Sequence, residues 1–303
     1  MIVVNKIFRL ILILAAILSS FIFGSYLNEI QFLQFYKVLN VIKSFNYRPP
    51  GQHSSGITQN ELGRLTSFPN KIQVECPKQD NKTIVLLAVG QSNSTNSQGQ
   101  KHKSTHGSKV INFWDGKCYE AASPLLGATN ISGEMWTLLG NELIESNITT
   151  QVILIPLGIS GSASTRWSSS GDLSKDVIHN LHNMIYSVTH IIFIQGESDF
   201  LLKTSYSSYY NNILSFIKTL RQNNINAPIW ISITSKCGYG KWFPDNAIAN
   251  AQNDLSKTNP GVYKGPNTDA TLTDLDRVDG CHFSRPGQSK FTHEAIETIF
   301  SKQ

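Results

Sequence analysis

The chain has 303 residues, 26 basic and 21 acidic side chains for a formal charge of +5, and a hydrophobic content of 40%. That content is ordinary for one large or two small globular domains with a substantial core, and it excludes general disorder. The basic residues are scattered rather than blocked, which excludes a nucleic-acid-binding or polybasic membrane surface as the origin of the charge.

In chain order, Lys6 and Arg9 precede an almost wholly apolar segment, residues 10–27. As a helix at about 1.5 Å per residue it would reach roughly 27 Å, enough for the hydrocarbon core of a bilayer. No clear small-x-small cleavage site follows, so residues 1–28 read as an uncleaved signal anchor in preference to a signal peptide. Either reading exports the rest of the chain. In a bacterium it would face the periplasm from the inner membrane, or be secreted if the segment is cleaved. Residues 29–75 read as a juxtamembrane helix over 31–43 followed by a linker in which Pro49, Pro50 and small polar residues cluster. Residues 76–303 are then the globular domain.

Four cysteines, Cys76, Cys118, Cys237 and Cys281, show no C-x-x-C spacing. This argues against zinc and thioredoxin-like chemistry and allows one or two disulfides, whose pairing the sequence leaves open. Histidines other than His282 show no metal-like pairing with carboxylates, and no metal or other cofactor is expected. Four Asn-x-Ser/Thr sequons begin at Asn81, Asn93, Asn130 and Asn147, and they read as products of an Asn- and Ser-rich composition.

Strand-like apolar runs occupy 83–89, 151–157, 190–195 and 228–234, with 110–114 as an additional candidate. Such runs fit parallel strands covered on both faces, which need no alternation. Helical patterns fall near 134–146, 173–187, 204–223 and 244–256, with a last one after Pro286. The alternation predicts a central parallel sheet between two helical layers, a three-layer α/β/α sandwich.

Three strands end in polar clusters: Ser92 after the first, Gly158 to Trp167 after the second, Gln195 to Asp199 after the third. Asp279 and His282 precede the last helix. A doubly wound sheet gathers the carboxyl ends of its strands at one edge, so these residues can share a site. Acyl transfer needs a nucleophile, a base, a group that orients the base and donors for the oxyanion. Ser92 suits the first role, His282 the second and Asp279 the third. Oxyanion donors would be the backbone N–H of Ser92, a backbone N–H in the Gly161 turn, and the side-chain amide of Gln195 or Asn93. Gln91 and Glu197 complete the candidate set, Glu197 as a buttress of the Ser92 turn. Arg166 and Trp167 are candidates for contact with a sugar ring. Taken singly, each residue also has a plainer reading as a helix cap, a turn or a core side chain.

The blocks Gly90-Gln-Ser-Asn93, the Gly161 turn with Trp167 behind it, Gln195-Gly-Glu-Ser-Asp199 and Asp279-x-x-His282 resemble, in order and strand context, those of SGNH/GDSL hydrolases. More narrowly they are similar to the sialate O-acetylesterase and carbohydrate esterase family 6 branch. The resemblance spans about 80 to 300 and implies a flavodoxin-like SGNH fold, a metal-free serine esterase and an O-acetylated glycan as substrate. Two departures stand out: Ser94 follows the first block where a Met is common, and Gln195 stands where the wider superfamily has an Asn. The same residues also suit an O-acetyltransferase that passes the acyl group to a surface polysaccharide. A third reading is a glycan-binding module without turnover.

Overall fold

The computed structural model describes residues 56–238 and 242–300. The expected anchor and the helix over 31–43 lie outside the described residues. Among the described residues no helix is long and apolar enough to cross a membrane.

The first elements are two short strands, β1 (Thr58–Gln59) and β2 (Leu65–Ser67), paired antiparallel, followed by β3 (Gln73–Val74). The expected linker therefore ends earlier than residue 75, and its last part packs on the domain. Arg64 and Leu65 are fully buried, and Arg64 donates to Asp176 and to the carbonyls of Gly127 and Gly158. Eight strands form the main sheet, in the order β10-β9-β8-β4-β7-β5-β6-β3. These are β4 (Thr83–Gly90), β5 (Val110–Trp114), β6 (Lys117–Glu120), β7 (Gln151–Pro156), β8 (His190–Ile194), β9 (Ile229–Ile233) and β10 (Val262–Asn267), with β3 at the edge. From β10 to β5 every pairing is parallel, and β6 and β3 close one side antiparallel.

β4 is central because its two side-chain sets feed two cores. Val85, Leu87 and Val89 pack on one face with α3 (Asp172–His182), α5 (Tyr206–Gln222) and α6 (Ala247–Thr258). Ile84, Leu86 and Ala88 pack on the other with α1 (Trp136–Glu145) and α8 (Arg285–Ala295). A strand covered on both faces loses nothing by being continuously apolar. The three-layer expectation is met, and 110–114 is a strand.

Three local differences have physical causes. The helix expected over 173–187 stops at His182, where Asn183 caps it by donating to the His179 carbonyl. β10 has no apolar run, since Lys264, Gly265 and Pro266 interrupt it. It lies at the sheet edge, where a residue without an N–H is tolerated. Two one-turn helices lie in the polar clusters, α2 (Ser164–Trp167) at the end of the second and α4 (Glu197–Leu201) starting within the third, and α7 (Thr268–Thr271) follows β10.

In β8, His190 is 4% exposed, stacks on Trp230 at 5.2 Å between ring centroids and shares a hydrogen bond with Thr189 Oγ1. Burial pushes its imidazole down to about 4. An unfolded chain binds a proton there below about pH 6.5 that the fold refuses, so stability is lost as pH falls from about 6.5 toward 4. We expect His190 to account for a loss on the order of 3 kcal/mol between pH 7 and pH 4. Denaturant titrations of the parent and of His190→Phe should therefore diverge at acid pH. Parallel curves would contradict the assignment.

Candidate active site

β4 stops at Gly90, whose φ of +126° and close approach to β8 admit only glycine, since a Cβ there would stand 1.9 Å from the Ile194 carbonyl oxygen. Gln91 N then donates to that same carbonyl, and Ser92–Ser94 form a single 3-10 turn. Ser92 is 5% exposed at the start of the turn, where the first N–H groups have no acceptor within the helix itself.

The residue after the nucleophile candidate ties the site together. Asn93 Nδ2 donates to Glu197 Oε1 at 2.7 Å and to the Cys281 carbonyl at 3.2 Å, while Asn93 Oδ1 accepts from Phe283 N at 3.2 Å. These last two bonds, across 188 and 190 residues of chain, bracket His282 and hold its segment against the Ser92 turn. Arg277, 5% exposed, also donates to the Cys281 carbonyl, at 2.7 Å. The Cys237–Cys281 disulfide and the bond from Gly238 N to Gly280 O fasten the same segment to the loop after β9.

On that segment Asp279 makes two hydrogen bonds to His282 and one to its neighbour Cys281. Its Oδ2 faces His282 Nδ1 at 2.7 Å, and its Oδ1 accepts from His282 N at 2.8 Å and Cys281 N at 3.0 Å. Burial pushes the Asp279 carboxyl up, but these hydrogen bonds and the imidazole together pull it further, to below the ordinary carboxylate value. An ionised Asp279 fixes the hydrogen of the neutral imidazole on Nδ1 and leaves Nε2 as the basic atom.

Two candidate oxyanion donors are committed elsewhere. The Gln195 amide donates to Asp199 Oδ2 at 2.6 Å, to the Ser162 carbonyl at 3.1 Å and to Gln91 Oε1 at 3.3 Å. That is one acceptor more than it has N–H groups. The Asn93 amide spends both of its hydrogens on Glu197 and Cys281. Gln195 and Asn93 are therefore positioning residues here, and the expectation that either side chain faces the oxyanion is corrected. Gln91 is likewise a strut, its Oε1 accepting from Ser198 N at 3.0 Å. Gly161 does lie at an open turn: it is exposed, its φ is +70°, and nothing stands within 4 Å of where a Cβ would be.

Glu197 is fully buried and accepts from Asn93 and from Thr234 Oγ1 at 3.0 Å, as a buttress should. Burial raises its carboxyl above the ordinary value, against the pull of Asn93. Trp167 is fully buried, edge-on to Phe193 and Phe216, and donates to Ser162 Oγ, so it is core rather than a sugar platform. Arg166 pairs with Asp172. Sequence reasoning missed Asp199 and Arg277. Asp199 holds the second cluster by accepting from Ser164 N and Ser164 Oγ, both at 2.7 Å. Its place inside the Gln195 block was the available signal. Among the described residues no group of His, Cys, Asp and Glu side chains is arranged to hold a metal ion.

With this geometry in view, the profile of the family described as carbohydrate esterase, sialic acid-specific acetylesterase, matches residues 81–301. No curated protein sequence matches significantly. Among solved structures, a protein from Arabidopsis thaliana is 19% identical, covering 73% of this chain and 98% of its own, with a TM-score of 0.59. A GDSL-like protein from Parabacteroides merdae is 16% identical, covering 73% of this chain and 98% of its own, with a TM-score of 0.50. At such identities these likenesses speak to the fold.

Replacing Asn93 by Ala removes three buried hydrogen bonds and leaves Glu197 short of a donor, a cost of about 1–3 kcal/mol for each group stranded. We expect Asn93→Ala to lower both the melting temperature and, by about 100-fold, kcat, because the His282 segment loses its hold on the Ser92 turn. An Asn93→Ala enzyme with parental kcat would show that the bridge does not position the site.

Proposed function

The chain belongs to the carbohydrate esterase family of sialic acid-specific acetylesterases, a group of carboxylic ester hydrolases, and on that premise we propose that it removes O-acetyl groups from a glycan through a Ser92–His282–Asp279 acyl-enzyme mechanism. The observation that carries this reading is the Asp279–His282 pair at 2.7 Å, bracketed onto the Ser92 turn by Asn93.

In this mechanism Ser92 Oγ attacks the acetyl carbonyl while His282 Nε2 takes the hydroxyl proton. The backbone N–H groups of Ser92 and of the Gly161 turn stabilise the oxyanion, a contribution of about 2.7–4 kcal/mol for each such donor. The tetrahedral intermediate collapses as His282 returns the proton to the departing sugar oxygen, leaving acetyl-Ser92. Water, deprotonated by the same imidazole, then releases acetate and regenerates the serine. Asp279 keeps the imidazole in the required tautomer and stabilises its charged form.

The apolar segment at residues 10–27 and the Cys76–Cys118 and Cys237–Cys281 disulfides support an exported protein held at a membrane by its N-terminus, acting in an oxidising compartment.

Acetate release from acetylated sialic acid and acetylated xylan tests the activity. Ser92→Ala should abolish it, and Asp279→Asn should lower kcat by about 1,000-fold or more by favouring the wrong tautomer. Undiminished release by Ser92→Ala would sink the mechanism. Acetate that accumulates only when no glycan acceptor is added would point instead to acyl transfer.

A further inference from the structure

His282 lines a cleft of about 420 Å³, and the rest of that lining comes from three other places in the chain. Ile57 and Gln59 belong to β1 and its approach, ahead of the family match that begins at 81. Asn130, Ile131 and Ser132 belong to the loop before α1, with Ser97 beside them. The volume falls within the roughly 300–1,000 Å³ usual for small-molecule sites.

Both sides of the cleft are fixed in place. The β1–β2 pair is held by Arg64, fully buried, whose Nη1 donates to the Gly127 carbonyl at 2.8 Å and whose Nη2 meets Asp176 at 2.5 Å. Backbone bonds of 2.9 Å run from Leu65 N to Ala128 O and from Gly127 N to Leu65 O. On the other side, Asn130 Nδ2 donates to Ser97 Oγ at 2.5 Å, and Ser132 N donates to the Asn96 carbonyl at 2.9 Å. Asn96 and Ser97 follow directly on the turn that carries Ser92, so that side of the cleft is built on the nucleophile's own loop.

The lining pairs two branched aliphatic side chains, one of them Ile131 at 46% exposure, with amides and hydroxyls. A pyranose presents the matching combination of C–H faces and a rim of hydroxyls. We propose that the segment ahead of the hydrolase domain completes the sugar subsite: Ile57 and Gln59, facing Asn130 and Ile131, bind the ring that carries the acetyl ester and set which sugar is accepted. This assignment rests on Ser92 and His282 being the reacting pair.

The test compares two esters in the full chain, 4-nitrophenyl acetate, which has no sugar, and whichever of 9-O-acetyl sialic acid and acetylated xylan the parent hydrolyses faster. For Ile57→Ala/Gln59→Ala, the ratio of kcat/KM on the sugar ester to kcat/KM on 4-nitrophenyl acetate should fall about 10-fold, the scale of one lost hydrogen bond plus apolar contact. The fall should lie mainly in KM. Ile131→Ala should move the ratio in the same direction, and the second ester reports on whether each variant folds. A ratio within about 2-fold of the parent's in both variants would overturn the subsite. A parent that hydrolyses neither ester would overturn the catalytic reading and the subsite with it.

Discussion

The side chain of Asn93 is the joint on which the site depends. β4 alone delivers a serine to a sheet edge, and the Asp279–His282 pair alone is a turn before a helix. Asn93 joins them by donating to the Cys281 carbonyl and accepting from Phe283 N, and it spends its remaining hydrogen on buried Glu197. Each contact is an ordinary hydrogen bond, worth about 1 kcal/mol net. Their consequence is geometric, because they hold the segment that carries His282 against the turn that carries Ser92, although most of the domain's sequence separates the two.

Around that joint, the surrounding polar groups mostly serve position rather than chemistry. Gln195, Asp199 and Gln91 form one connected set that locks the second and third strand-end clusters to the start of α4. Arg277 and the Cys237–Cys281 disulfide do the same for the His282 segment. A buried network of this kind is stable only if nearly every member is satisfied. Gln195 Oε1, Glu197 Oε2 and Arg277 Nε are the exceptions in this set, buried without a hydrogen-bond partner among the described residues. Glu197 also faces the field of Arg277, which favours its charged form against the opposing effect of burial.

The sheet was legible in the sequence where burial is two-sided. β4, β7, β8 and β9 are apolar runs because helices cover both of their faces, and the resemblance to SGNH hydrolases singled out Ser92, Asp279 and His282, on two loops that Asn93 joins in the fold. β10 was not legible, since an edge strand can carry Lys264, Gly265 and Pro266 without penalty. The β5–β6 hairpin had a readable signal in Asp115-Gly116, whose φ values of +49° and +71° are those a tight two-residue turn requires. Side-chain direction was the chief loss. Gln195 and Asn93 have the right chemistry for oxyanion donors, and only their partners reveal that their hydrogens are already engaged. Ile57 and Gln59 lie within residues 29–75, read ahead of the domain, yet they line one cleft with His282, and the burial of Arg64 nearby is not announced by local sequence.

The central claim is that Ser92 forms the acyl-enzyme, and active-site labelling addresses it most directly. The folded protein would be treated with a fluorophosphonate, digested, and its modified peptide sequenced by mass spectrometry. Modification confined to Ser92, and abolished by His282→Ala, is the predicted result. Labelling of another serine, or undiminished labelling of Ser92 without the imidazole, would contradict the mechanism.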